Sequence, residues 1–247
     1  MKRLLIIVDS LRRDAFEWLI WPHLAGYYAP VQALSNWTLP VLEYVNECLR
    51  RLPEPKLVLT SGYGLCVDWA AEMHEVEYPL LHPERWPELP TQGVLVVHDY
   101  YVHDYFQDAE LDPQRLTPPQ TYKARIAYWG RVSVILGGLR RTLHRLHQWR
   151  ALVVADHGEA FFEDGVHFHH GVWAASVPEV MRVPWFEPGQ ERRLKRPRDF
   201  GDVATWLGLN REACLRCWFA HRSGSTDISP ATKERLRGLG YVQLGQD

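Results

Sequence analysis

Two apolar runs in this 247-residue chain end abruptly in an acid. Leu4-Leu5-Ile6-Ile7-Val8 stops at Asp9, and Leu152-Val153-Val154-Ala155 stops at Asp156-His157-Gly158-Glu159. Such runs read as strands of a parallel sheet covered on both faces. Ligands of open α/β sheets sit just beyond the carboxyl ends of those strands. If the two strands are neighbours, one acid from each can grip a single cation, and His157 can join them, because carboxylate and imidazole both ligate divalent metals. Gly158 lets the backbone turn sharply or approach a ligand closely. Taken alone, Asp156-His157-Gly158 also reads as a helix cap beside a satisfied histidine.

Between the acids lies Ser35-Asn36-Trp37-Thr38-Leu39-Pro40, a polar turn before a helical stretch running to Leu49. Proline is tolerated in the first turn of a helix. Thr38 therefore stands at a helix N-terminus, where free N–H groups and the dipole favour an anion. Its hydroxyl has two readings: an N-cap, or a nucleophile whose alkoxide is stabilised by a metal on Asp9, Asp156 and His157. The strand-end acids on either side tip the balance toward the nucleophile, with Ser35 next in line.

The elements that must position these groups are those of an α/β protein. Residues 56–60 and 93–98 read as further strands. The segment between them holds Pro79, Pro83, Pro87 and Pro90, and reads as a loop that shapes the rim. Ile126, Trp129, Val132, Leu136, Leu139, Leu143 and Leu146 recur at three and four residues, which predicts an amphipathic helix covering the sheet before the Asp156 strand. Ser229-Pro230 opens a last helix that ends at Gly238 or Gly240. The length fits one domain across residues 1–247.

Composition narrows the function classes. Hydrophobic residues make up 46% of the chain, with eleven tryptophans, enough to fill a sizeable core. The net charge of −2 implies no broad basic surface for nucleic acid, and the run at 191–196 reads as a solvated loop. No apolar segment approaches bilayer-spanning length. A first strand starting almost at Met1 leaves no room for a cleavable signal, so the cytoplasm is the expected compartment. The four cysteines agree with that: Cys48 falls in a helix and Cys66 in a turn. Cys214 and Cys217 have ligand spacing, with His221 four further on, but no second pair completes a zinc site, so they read as two helical cysteines.

The ordered motifs resemble the sulfatase branch of the alkaline phosphatase-like superfamily. Residues 8–14 (Val8-Asp9-Ser10-Leu11-Arg12-Arg13-Asp14) resemble its first-strand signature, and 36–40 its nucleophile turn. Residues 96–106 are similar to its central strand ending in a ligand histidine. Asp156-His157-Gly158-Glu159, His170-Gly171, Arg182-Val183-Pro184 and the ending at 234–242 follow in the same order. The resemblance spans nearly the whole chain. It implies a three-layer α/β/α sandwich with a mostly parallel central sheet, shortened, and a metal-dependent ester hydrolase.

The departures refine that expectation. Sulfatases carry a cysteine or serine that becomes formylglycine, followed by Pro and Arg. Here Thr38-Leu39-Pro40-Val41-Leu42 has neither the modifiable residue nor the arginine, so the resemblance shifts toward phosphodiesterases and phosphoalcohol transferases. Ser10 replaces the usual second acid. His157 stands where asparagine is usual, and imidazole suits zinc or manganese better than calcium or magnesium. The resemblance further implies a second metal on Asp99, His103 and His170, with His98, His167 and His169 left as supporting or substrate-contact candidates; one or two divalent ions are therefore expected. The expected partner is a phosphate or sulfate ester. The short chain argues for an open site and a large or polymeric substrate, or a partner that completes the pocket; a homo-oligomer stays open. Three functions follow: hydrolysis of phosphate esters through Thr38, with sulfate-ester hydrolysis as the alternative; transfer to an alcohol through the same intermediate; or binding without catalysis.

Overall fold

The computed structural model describes residues 1–108, 117–161, 163, 177–190 and 196–224. His167, His169 and His170, the run at 191–195, the final helix and the ending at 234–242 lie outside the described residues.

Seven strands form one sheet: β1 (Lys2–Val8), β2 (Gly26–Gln32), β3 (Lys56–Thr60), β4 (Glu72–Glu75), β5 (Gly93–Asp99), β6 (Arg150–Ala155) and β7 (Arg182–Pro188). Their order is β2-β7-β6-β1-β5-β3-β4, parallel from β6 to β4, with β7 antiparallel to both its neighbours. Around it lie α1 (Arg13–Ala15), α2 (Thr38–Arg50), α3 (Tyr105–Asp108), α4 (Pro118–Arg145), α5 (Pro178–Met181), α6 (Val203–Trp206) and α7 (Arg211–Gly224). Successive residues of β1, β5 and β6 are buried, so both faces of the sheet centre are covered. This is the mostly parallel α/β sandwich expected from the sequence.

The register brings the expected strand ends together. Val8 pairs with Asp99 on one side and Ala155 on the other, so Asp9 and Asp156 leave adjacent strands at the same edge. Three strands were not legible in the chain. In β2 and β7, Pro30 pairs with Pro184, and each proline removes a ladder donor and breaks the apolar pattern. β4 is a polar edge strand whose residues are mostly exposed. The expected α4 forms, opened by a capping box in which the Gln120 side chain takes the Thr117 N–H. Of the expected stripe Val132, Leu139 and Leu146 are buried and Trp129, Leu136 and Leu143 pack against the core, joined by Ala124, Tyr128 and Ile135, whereas Ile126 is 56% exposed.

Candidate active site

Asp9, Thr38, Asp156 and His157 converge at the carboxyl end of β1 and β6, and all four are buried. The hydroxyl of Thr38 does not cap the helix. Trp37, not Thr38, is the N-cap of α2, and no side chain caps that helix. Thr38 Oγ1 instead donates toward Asp9 Oδ2 at 3.0 Å and lies 3.0 Å from His157 Nε2. Ser35 Oγ accepts the Trp37 N–H at 3.2 Å, so that hydroxyl serves the turn.

The ring orientation of His157 follows from its second partner. Its Nδ1 is 2.7 Å from the Gly158 carbonyl oxygen, which can only accept, so Nδ1 carries a hydrogen and Nε2 is the nitrogen turned to the acids. That nitrogen faces Thr38 Oγ1, Asp156 Oδ2 at 3.5 Å and Asp9 Oδ1 at 3.9 Å. Gly158 is required for close approach rather than for an unusual dihedral. Its N–H donates to the Val180 carbonyl at 2.8 Å, and a Cβ at 158 would collide with the Glu179 carbonyl.

Ser10 stands where a second acid was expected and orients both carboxylates. Its N–H donates to Asp156 Oδ1 at 3.1 Å and its hydroxyl to Asp9 Oδ1 at 3.0 Å. It does so from a left-handed backbone at φ 57°, a conformation L-residues other than Asn and Asp seldom adopt. Tyr128 of α4 pins the same turn, donating to the Ser10 carbonyl and accepting the Arg12 N–H, both at 2.8 Å. The buried Arg12 ties this turn to the segment after β6 through the Glu159 carbonyl and Glu163, while a bidentate pair with Asp14 balances its charge.

His98 is the addition that the structure makes. Its Nε2 lies 3.4 Å from Asp9 Oδ2, and candidate ligand atoms of Asp9, His98 and Asp156 all fall within 4.8 Å of one another. Sequence reading left it as a supporting residue beside Asp99. Alternation along a strand points neighbours to opposite faces, and Asp99 is the one turned away. Its Oδ2 accepts the Leu80 N–H at 2.8 Å and its Oδ1 the Tyr101 N–H at 2.9 Å, so Asp99 anchors the rim loop. Burial raises its pKa to about 6. His103 is buried and stacks on Tyr100 with ring centroids 4.4 Å apart. The structure therefore does not gather Asp99 and His103 into a second metal group among the described residues. Cys214 and Cys217 also form none there; they lie on α7, with Cys214 beside Cys48 and the Cys217 sulfur accepting from Arg51.

The donor set fits a divalent cation. Ligands about 2.1 Å from a tetrahedral zinc stand about 3.4 Å apart. The His98–Asp9 and His157–Asp156 separations of 3.4 and 3.5 Å are of that size. Asp156 Oδ2 is buried and receives no hydrogen bond. Burial and the neighbouring Asp9 charge push the Asp156 carboxyl up. Burial also disfavours the Asp9 carboxylate, but His98, His103 and His157 outweigh it and hold Asp9 low. Two buried acids of opposite tendency, beside two imidazoles, form a pocket of ligand atoms that a cation would neutralise. The expected open site is not met, because every one of these side chains is buried.

No protein-family model and no curated protein sequence matches the chain. Solved structures do match. The C-terminal periplasmic domain of phosphoethanolamine transferase EptC from Campylobacter jejuni superposes with TM-score 0.54 at 15% identity, covering 76% of this chain and 79% of that one. The corresponding domain of EcEptC from Escherichia coli, in complex with Zn, gives 0.56 at 11% identity over 84% of this chain and 82% of that one. A 2-O GAG sulfatase gives 0.60 at 8% identity, over 85% and 71%. The fold is thus the alkaline phosphatase-like one that these transferase domains and sulfatases share.

Proposed function

We propose that the chain is a metal-dependent enzyme that acts on phosphate esters through Thr38. The observation that carries this reading is the environment of the Thr38 hydroxyl. It caps no helix and points at Asp9 Oδ2 and His157 Nε2, each 3.0 Å away. Asp9, Asp156, His157 and His98 would hold one divalent ion, with zinc or manganese suited to the imidazoles. The bound ion would supply Lewis acidity for the alkoxide and for the phosphoryl oxygens. Thr38 Oγ, its proton lost to solvent, would attack phosphorus; the bond to the leaving alcohol breaks, that oxygen takes up a proton, and a phospho-threonine remains, with Asp9 Oδ2 orienting the hydroxyl beforehand. Ser10 keeps both carboxylates aimed, and burial sharpens every charge interaction around the nucleophile.

Water or an alcohol can then accept the phosphoryl group. The similarity to two phosphoethanolamine transferase domains supports transfer to an alcohol as the second reading. The similarity to a sulfatase keeps sulfate esters in the test, although Thr38 cannot yield formylglycine. Matched nitrophenyl phosphate, phosphodiester and sulfate substrates, assayed with zinc, manganese and calcium, separate the readings. Phosphorus esters should be turned over well above the sulfate, and added acceptor alcohols should capture product if the enzyme is a transferase. Thr38→Ala should lower the rate by orders of magnitude, and Thr38→Ser should keep part of it. A clear preference for sulfate, or near-normal turnover by Thr38→Ala, would overturn the assignment.

A further inference from the structure

We propose that Thr60, with Gly64 beside it, is the positioning pair that aims His98 Nε2 into the space between Asp9 and Asp156. The inference rests on reading that space as a cation site. Thr60 ends β3 and is the direct register partner of His98 on β5. Its Oγ1 lies 3.0 Å from His98 Nδ1, and both side chains are fully buried. The other neighbour of that hydroxyl is the Ser61 carbonyl oxygen, 3.5 Å away, which can only accept.

Gly64 supplies the room. A Cβ there would overlap the Thr60 hydroxyl and stand 2.9 Å from His98 Nδ1. The turn that carries Gly64 is held in place, since the Gly64 N–H reaches the Ser61 carbonyl at 3.3 Å and Trp69 Nε1 donates to the Gly64 carbonyl at 2.7 Å. The Thr60 backbone is fixed as well, because its carbonyl accepts the Val76 N–H at 3.0 Å. Neither partner can drift without moving β3 or this turn.

The two histidines of the site are anchored differently. His157 Nδ1 meets a carbonyl, which permits one tautomer. His98 Nδ1 meets a hydroxyl, which both donates and accepts. Facing Asp9 Oδ2 at 3.4 Å, His98 Nε2 can carry the hydrogen while Thr60 donates to Nδ1. With a cation in place the hydrogen belongs on Nδ1, Thr60 Oγ1 accepts it, and the hydroxyl hydrogen turns to the Ser61 carbonyl. A ligating histidine usually fixes its tautomer through such an outer partner, and losing that partner typically costs 10–100-fold in metal affinity.

Thr60→Val keeps the side-chain shape without the hydroxyl, and Thr60→Ser keeps the hydroxyl. Zinc affinity, measured by competition with a chelating dye, should fall about 10–100-fold in Thr60→Val and stay close to wild type in Thr60→Ser. Thr60→Val leaves the buried His98 Nδ1 without its partner, so its metal-free melting temperature should fall; affinity is therefore compared well below that melt, which separates positioning from folding. Zinc is diamagnetic, so long-range proton–nitrogen NMR of the loaded wild-type protein reads the tautomer directly; His98 should show a protonated Nδ1 and a ligating Nε2. Zinc binding by Thr60→Val as tight as wild type, or a protonated Nε2 in the loaded wild type, would overturn the inference while leaving the metal site standing. Failure of the wild type to bind zinc would remove both. The wild-type spectrum decides the matter even if Thr60→Val does not fold.

Discussion

Among the residues, the largest shifts come from burial set against neighbouring charge. Asp104 shows it away from the reacting groups. It accepts from the Tyr78 hydroxyl at 2.8 Å, and burial lifts its pKa to about 6. In the unfolded chain an aspartate titrates near about 3.9. The folded state therefore binds a proton more tightly, and Asp104 contributes stability that is complete below about pH 4 and lost as pH rises through about 6. For a shift of this size the loss is about 2–4 kcal/mol. Asp104→Asn keeps an acceptor for Tyr78 and cannot ionise. In chelator, its melting temperature should fall less than that of wild type between pH 4 and pH 7; parallel curves would show that Asp104 ionises in the fold without penalty. At this scale the sequence is informative about identity and poor on orientation. Asp9, Thr38, Asp156 and His157 were legible because each follows an apolar run or opens a helix. His98 was displaced by Asp99 because ligand type alone cannot say which neighbour faces the site. Thr60 and Tyr128 carried no motif, because their hydroxyls matter only through partners 38 and 118 residues away; Ser10 was legible as the residue in place of an acid, but not its N–H bond to Asp156, 146 residues away.

Among the elements, the site depends on three adjacent strands, β5, β1 and β6, ending in register, and on two segments that press against their ends. One is the turn before α2, which delivers Thr38 at the first helical position. The other is α5, whose Glu179 carbonyl leaves no space for a side chain at 158. Gly158→Ala must push α5 or the Gly158 peptide aside, and that peptide holds His157 Nδ1. Overpacking of this kind costs about 1–3 kcal/mol, so the urea midpoint should fall and zinc affinity should fall with it. An unchanged midpoint would mean that α5 yields freely. Periodicity found β1, α2, β3, β5, α4 and β6, since each has either a continuous apolar run or a helical stripe. It missed β2 and β7, where facing prolines hide the ladder, and β4, a polar edge.

At the scale of the whole molecule, the fold matches transferase and sulfatase domains at identities of 8–15%, too low for sequence matching to register, yet the order of motifs along the chain was enough to name it. That order survives because the sheet requires each strand end at a given place. What the chain did not reveal is the enclosure of the site. Its shortness suggested an open cleft, whereas Thr38 and the acids and histidines around it are buried. In the proposed function Thr38 forms a covalent bond to phosphorus in a cation-dependent step. Incubation with a nitrophenyl phosphodiester and zinc, followed by intact-mass and peptide analysis, tests it directly. A phosphoryl adduct should appear on the peptide containing Thr38, formed with release of nitrophenolate, and be absent in chelator and in Thr38→Ala. Nitrophenolate release that continues undiminished in Thr38→Ala, or an adduct on another residue, would contradict it.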